Sequence, residues 1–189
     1  ANINSQSLSN LKTTYGLTSL MIAIDNNYFE ITKLLFEKGA DIERKAHGGK
    51  TALMFACEKG NFNVVRRLIE KRVDVNVSDA HGKTPLMFAA SNGNLSIIKM
   101  LIEKYAKINE VDRKYGDNAF IYAVRAGNLD AVKYFILKGV DVNFKNTVGT
   151  TALMISSEKG YIEIVKYLIL KRADVNARNY YGFTALMLA

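Results

Sequence analysis

Reactive side chains are few in this chain. His47 and His81 stand 34 residues apart, and a fold that joined them would give an imidazole pair for a metal ion or for acid–base work. The alternative is a pair of solvated loop histidines. Cys57 would be a nucleophile only beside a base. It follows Phe55-Ala56 in a segment that reads as helix, and no base shares its phase there; a small buried residue explains it better. Asp74-Val75-Asn76, Asp141-Val142-Asn143 and Asp174-Val175-Asn176 carry oxygen ligands, yet they recur at fixed spacing and suit turn hydrogen bonding. Two histidines and one cysteine cannot build a structural zinc site or an internal disulfide. No phosphate-binding glycine loop is present. These residues predict no catalytic group, no metal and no cofactor, and therefore not an enzyme.

The elements around them are set by a repeat. A Gly-x-Thr-x-Leu-Met string begins at Gly16, Gly49, Gly82, Gly149 and Gly182, with a degenerate copy at Gly116. The leading glycines are spaced 33, 33, 34, 33 and 33, so one extra residue lies between Val111 and Tyr115. Gly60, Gly93, Gly127 and Gly160, with Asn27 in the first copy, fall eleven residues later. Gly39 and Gly139 follow at a third phase, and the other copies carry Arg72, Tyr105 and Arg172 there. Glycine adopts positive φ without steric cost and Asn is the next best substitute. Phase-locked glycines therefore mark turns and helix ends, and the spacing predicts positive φ at Arg72, Tyr105 and Arg172.

The segments between turns read as helices. Thr84 suits an N-cap and Pro85 a first helical position, and that short helix ends at Gly93. Leu95–Ile102 then repeats apolar residues at i, i+3, i+4 and i+7, the stripe of a second helix. Its equivalents are 29–36, 62–69, 129–136 and 162–169. One such pair buries a single side of its stripe, so neighbouring copies must stack.

On these strings the chain resembles the ankyrin-repeat family. The full copies run 13–45, 46–78, 79–112, 113–145 and 146–178, with a partial copy at 179–189 and an N-terminal cap or remnant at 1–12. The abundance of Lys, Asn and Ile resembles bacterial members. The resemblance implies an all-α solenoid of stacked helix-turn-helix units with β-turn fingers. The family's His is replaced by Met21, Met54, Met87, Met154 and Met187, or by Ile121, which implies apolar contact where imidazole hydrogen bonds would stand. The fourth copy is the weakest, with Asn118 for Thr and Phe120 for Leu.

The resemblance also implies the function, a non-catalytic scaffold or adaptor, or an inhibitor, that holds a protein partner on its concave face. Carried over copy by copy, the partner-binding residues are Tyr15, Lys45, His47, Lys50, Lys59, His81, Lys83, Lys114, Tyr115, Arg125, Lys145, Lys159, Arg178, Tyr180 and Tyr181. On the full set of carried-over positions nine basic residues face four acidic ones, Asp25, Glu58, Asp117 and Glu158, in a chain of net charge +8. The expected partner is therefore acidic, with the charge bias sitting largely on this face. The alternative is nucleic acid, against which Glu58, Asp117 and Glu158 interrupt the basic track.

The chain has 189 residues, 49% hydrophobic and 23% charged, which excludes a disordered or fibrous protein. No apolar run reaches the length of a membrane span. A cytoplasmic location is favoured, and removal of a leader before Ala1 would leave a periplasmic or secreted protein open. The partial sixth copy predicts that Ile164, Leu168 and Ile169 lack a neighbour. That uncapped end is expected to continue into a further helix, to self-associate or to meet a partner.

Overall fold

The computed structural model describes residues 16–189; Tyr15 and the N-terminal segment 1–12 lie outside the described residues. Five short helices alternate with five of nine residues. The first of each pair are α1 (Ser19–Asp25), α3 (Ala52–Glu58), α5 (Pro85–Asn92), α7 (Ala119–Arg125) and α9 (Ala152–Glu158). The second are α2 (Phe29–Glu37), α4 (Phe62–Glu70), α6 (Leu95–Glu103), α8 (Leu129–Leu137) and α10 (Ile162–Leu170), and α11 (Ala185–Leu188) ends the stack. Among the described residues there is no strand, only isolated bridges at the finger bases such as Lys45 with Thr51. First helices pack against one another more closely than second helices do, so the stack curves toward the first-helix row, whose exposed side is the concave face.

The predicted caps account for the helix starts. Thr18, Thr51, Thr84 and Thr151 take extended backbone, and each hydroxyl accepts from the amide three residues on at 3.2–3.4 Å. Asn118 fills the same role at 3.0 Å, so the fourth copy starts as firmly as the others. The cost lies elsewhere, because the Asn118 amide nitrogen is buried without a hydrogen-bond partner. The methionines that follow do more than pack. Met54 and Met87 are 0% and 1% exposed, and each Sδ accepts from its own N-cap amide at 3.5 Å, closing a capping box with a thioether where a carboxylate usually stands. The expectation of purely apolar contact is corrected at these two sites.

Copies are stitched at both edges. At the fingers, Ala80, Arg113, Thr147 and Tyr180 donate main-chain N–H groups to Gly48, His81, Tyr115 and Val148 at 2.7–3.1 Å. At the second helices, the N-caps Asn94 and Asn128 accept from Ile97 and Ala131 and donate to Gly60 and Gly93 of the preceding copy. One side chain thus caps a helix and ties two copies. The extra residue also has a location. Finger turns close from amide i to carbonyl i+4 at Ala46, Asp79, Asn146 and Asn179, but from Asp112 to Asp117 in the fourth copy.

Arg72, Tyr105 and Arg172 have φ of 61°, 64° and 66°, as their phase predicts. At the C-terminal end one expectation fails. Ile164 and Leu168 are 2% and 0% exposed, and only Ile169, at 49%, is left open. Their helix α10 packs on α9 and α8, so both are covered without a following copy.

Candidate protein-binding groove

The concave face carries an aromatic column that the sequence reading did not single out. Phe55, Phe88 and Tyr122 hold the fourth helical position of α3, α5 and α7. Ile22 and Ile155 stand there in the flanking copies. The residue before each N-cap naturally meets that fourth position, as in a hydrophobic staple. Here the residue is Lys50 or Lys83. Lys50 Nζ sits 4.2 Å from the Phe55 ring and 4.9 Å from that of Phe88. Lys83 Nζ repeats the arrangement one copy later, 5.8 Å from Phe88 and 5.0 Å from Tyr122. Aromatic and cationic groups therefore alternate across three copies, each contact contributing about 0.5–1 kcal/mol where exposed.

Charge pairing along this column reverses sign. Lys50 pairs with Glu58 in the second copy; in the fourth, at the same two positions, Asp117 pairs with Arg125 at 2.8 Å. Between them Lys83 has Ser91 at the matching position and, among the described residues, no ion pair. Lys83 is thus a cation at the centre of the groove without an ion pair among the described residues. It borders a cavity of about 350 Å³ lined also by Glu58, Met87, Phe88, Ser91, Asn92 and Tyr122.

Tyr122, on the wall of this cavity, is tied to the wider fourth finger. Tyr122 donates its hydroxyl to Asp112 Oδ2 at 2.7 Å, while Asp112 Oδ1 accepts from the Lys114 and Tyr115 amides. Burial acts to raise the Asp112 pKa, but the amides of Tyr115, Lys114 and Gly116 and the Tyr122 hydroxyl together hold its carboxyl below the usual range. Burial first, and then the bond to Asp112, push the Tyr122 hydroxyl well above its ordinary value, so it remains a donor. The Tyr115 ring lies on the same finger, 4.6 Å from Lys114 Nζ and 6.0 Å from the Arg125 guanidinium.

The residues carried over from the sequence divide into three groups. Lys50, Lys83, Tyr115, Arg125 and Lys114 come together around the groove. Lys59 is tied to Asp25 of the preceding copy at 3.1 Å. Lys45, His47, His81, Lys145, Lys159, Arg178, Tyr180 and Tyr181 are exposed along the fingers and helix ends, away from the aromatic column. No group of three or more His, Cys, Asp or Glu residues able to hold a metal occurs among the described residues. Cys57 is fully buried, and burial pushes its thiol up. Phe55, Phe88, Tyr122 and Asp112 were missed; for Phe55 and Phe88 the signal was an aromatic five residues after a lysine, recurring in phase.

The overall charge lies differently from the expected distribution. The second helices, each with its two following residues, carry thirteen basic against six acidic side chains. That excess of seven exceeds the five of the concave face. The loops between offset it with Asp and Glu of the finger bases, which the recurring Asp-Val-Asn strings supply.

A family model described as ankyrin repeats (three copies) matches residues 43–112 and 113–189, and a model of the single ankyrin repeat matches residues 15–44. The chain belongs to the ankyrin-repeat family. Such repeats generally mediate protein–protein interaction and are typically non-catalytic. A comparison with curated proteins finds no match. Among the described residues no helix is long and apolar enough to cross a membrane.

Proposed function

We propose that the groove of the second to fourth copies holds an acidic segment of a protein partner, making this chain an adaptor, or an inhibitor where that segment is functional. Lys83 carries the reading. It is a cation kept between two rings, with no ion pair among the described residues, at the mouth of a cavity where Met87, Phe88 and Tyr122 stand beside the polar Glu58, Ser91 and Asn92. A carboxylate next to an apolar or aromatic side chain fits such a place: the first meets Lys83, the second Phe88 and Tyr122. Tyr115 and Lys114 extend the contact onto the fourth finger. Nucleic acid is less well served, because Glu58 and Asp117 stand in the track and neutralise Lys50 and Arg125.

The experiment is affinity capture from the native host, followed by titration of the recovered protein against wild type and a Lys83→Glu, Lys114→Glu variant. The variant should bind about tenfold more weakly at low salt, and the difference should shrink as salt rises. Equal affinity at low salt overturns the reading, as does recovery of nucleic acid alone with strongly salt-dependent, sequence-independent binding.

A further inference from the structure

The second helices form the opposite, convex face, and their exposed arcs follow one formula. In α6, α8 and α10 the fifth residue is Lys99, Lys133 and Lys166, and the C-cap is Lys104, Lys138 and Lys171. The same two positions are basic in α2 and α4. A C-cap lysine has a structural reason, since it meets the negative end of the helix dipole. Of the mid-helix lysines, Lys166 pairs with Glu163 at 2.8 Å, while Lys99 and Lys133 have no ion pair among the described residues.

Tyr134 and Tyr167 lie between the two lysine rows. The Tyr134 ring is 5.7 Å from Lys99 Nζ and 5.4 Å from Lys138 Nζ. The Tyr167 ring is 5.8 Å from Lys133 Nζ and 5.5 Å from Lys171 Nζ. Beside them are aliphatic side chains left in water. Leu137 is 78% and Leu170 74% exposed, at a position where α2, α4 and α6 carry Glu37, Glu70 and Glu103. On the last two pairs, then, an acidic residue gives way to leucine on a face where four lysines stand against two acids, Asp130 and Glu163.

From this juxtaposition we propose that the convex face of α8 and α10 docks on the surface of a membrane rich in acidic phospholipid. Lysines at both edges of each arc reach the headgroup phosphates and carboxylates. Leu137, Leu170 and the two tyrosine rings enter the boundary between headgroups and acyl chains. Lysine and leucine interspersed on one exposed face is the composition of an interfacial surface. A nucleic acid would satisfy the lysines and leave the leucines unused. The groove, on the other side of the stack, stays free to hold its partner.

The test is co-sedimentation of the 189-residue chain with phosphatidylcholine vesicles with and without phosphatidylserine. Binding is expected only where phosphatidylserine is present. Each lysine lost should weaken partitioning about fivefold, so Lys133→Gln, Lys166→Gln together should weaken it about twenty-five-fold. Leu137→Gln, Leu170→Gln leaves the charge unchanged and should also weaken binding several-fold, while Lys83→Gln on the opposite face should change it no more than about twofold. All the altered convex side chains are exposed, and a thermal melt confirms that the variants fold. Absence of binding to phosphatidylserine vesicles overturns the proposal. So does equal binding to neutral vesicles, or lysine dependence without leucine dependence, which would assign the face to a nucleic acid or an acidic protein instead.

Discussion

Tyr105→Gly should stabilise the protein although it removes an aromatic side chain. Tyr105 follows the C-cap of α6 with φ of 64°, and its ring is 87% exposed, so truncation sacrifices almost no burial. Its structural duties are main-chain ones: its amide donates to Ile102 O at 3.0 Å and its carbonyl accepts from Asn76 Nδ2 at 3.1 Å, both available to glycine. Left-handed backbone costs a residue with Cβ about 1–2 kcal/mol. Glycine's added freedom in the unfolded chain offsets about 0.5–1 kcal/mol of that relief. The net gain is about 0.5–1 kcal/mol, or about 2 °C in Tm for a chain of this size. The reverse change has a matching site. A Cβ on Gly139, at φ of 86°, would meet nothing within 4 Å, so Gly139→Tyr should cost about 1 kcal/mol through backbone strain alone. Urea unfolding followed by far-UV circular dichroism reads both. The midpoints should move in opposite directions at constant slope. Destabilisation by Tyr105→Gly would refute the reasoning, showing that the exposed ring carries stability that its burial does not reveal.

Asn118→Thr should raise stability by about 1 kcal/mol in the same assay, since threonine keeps the cap and removes the buried amide nitrogen that lacks a partner; an unchanged or lowered midpoint would mean that nitrogen is satisfied. Asp112 has a depressed folded pKa, so its contribution is present above its unfolded value of 3.8 and is lost as pH falls through the lower folded value. Asp112→Asn should therefore be destabilising at neutral pH, with the gap to wild type closing below about pH 4; a gap constant down to pH 2 would contradict this. Hydrogen exchange should show residues 183–189 less protected than residues 150–156, because Leu186 and Met187 are 85% and 60% exposed while Leu153 and Met154 are 3% and 0%. Equal protection in a monomer would sink that expectation.

Much of the fold was legible because glycine and threonine report backbone geometry directly. The phase of Gly39 and Gly139 was enough to assign positive φ to Arg72, Tyr105 and Arg172, and the string Thr84-Pro85 to start α5. The extra residue near Val111 was visible as a count, but its effect, a finger closed one residue wider with Asp112 turned onto Tyr122, depends on side-chain direction. The groove was legible only in part. Lys50 and Lys83 could be placed by their turn, whereas Phe55 is itself buried and Phe88 and Tyr122 resemble core residues until the neighbouring copy shows which side remains open. Ile164 and Leu168 were misjudged for the converse reason: a periodic stripe does not say which of two neighbours covers each residue. The charge balance was misread because lysines scattered along the chain gather on the second helices only once those helices align.

The most direct test of the groove as the partner-binding site is site-specific photocrosslinking. A photoreactive residue at Ser91, exposed at the rim of the cavity, is compared with one at Ser96, exposed on α6 at the opposite face. In native-host extract, Ser91 should yield one protein adduct of fixed mass that Lys83→Glu abolishes, and Ser96 should not yield it. The same adduct from Ser96 alone, or from Ser91 undiminished by Lys83→Glu, would contradict the account.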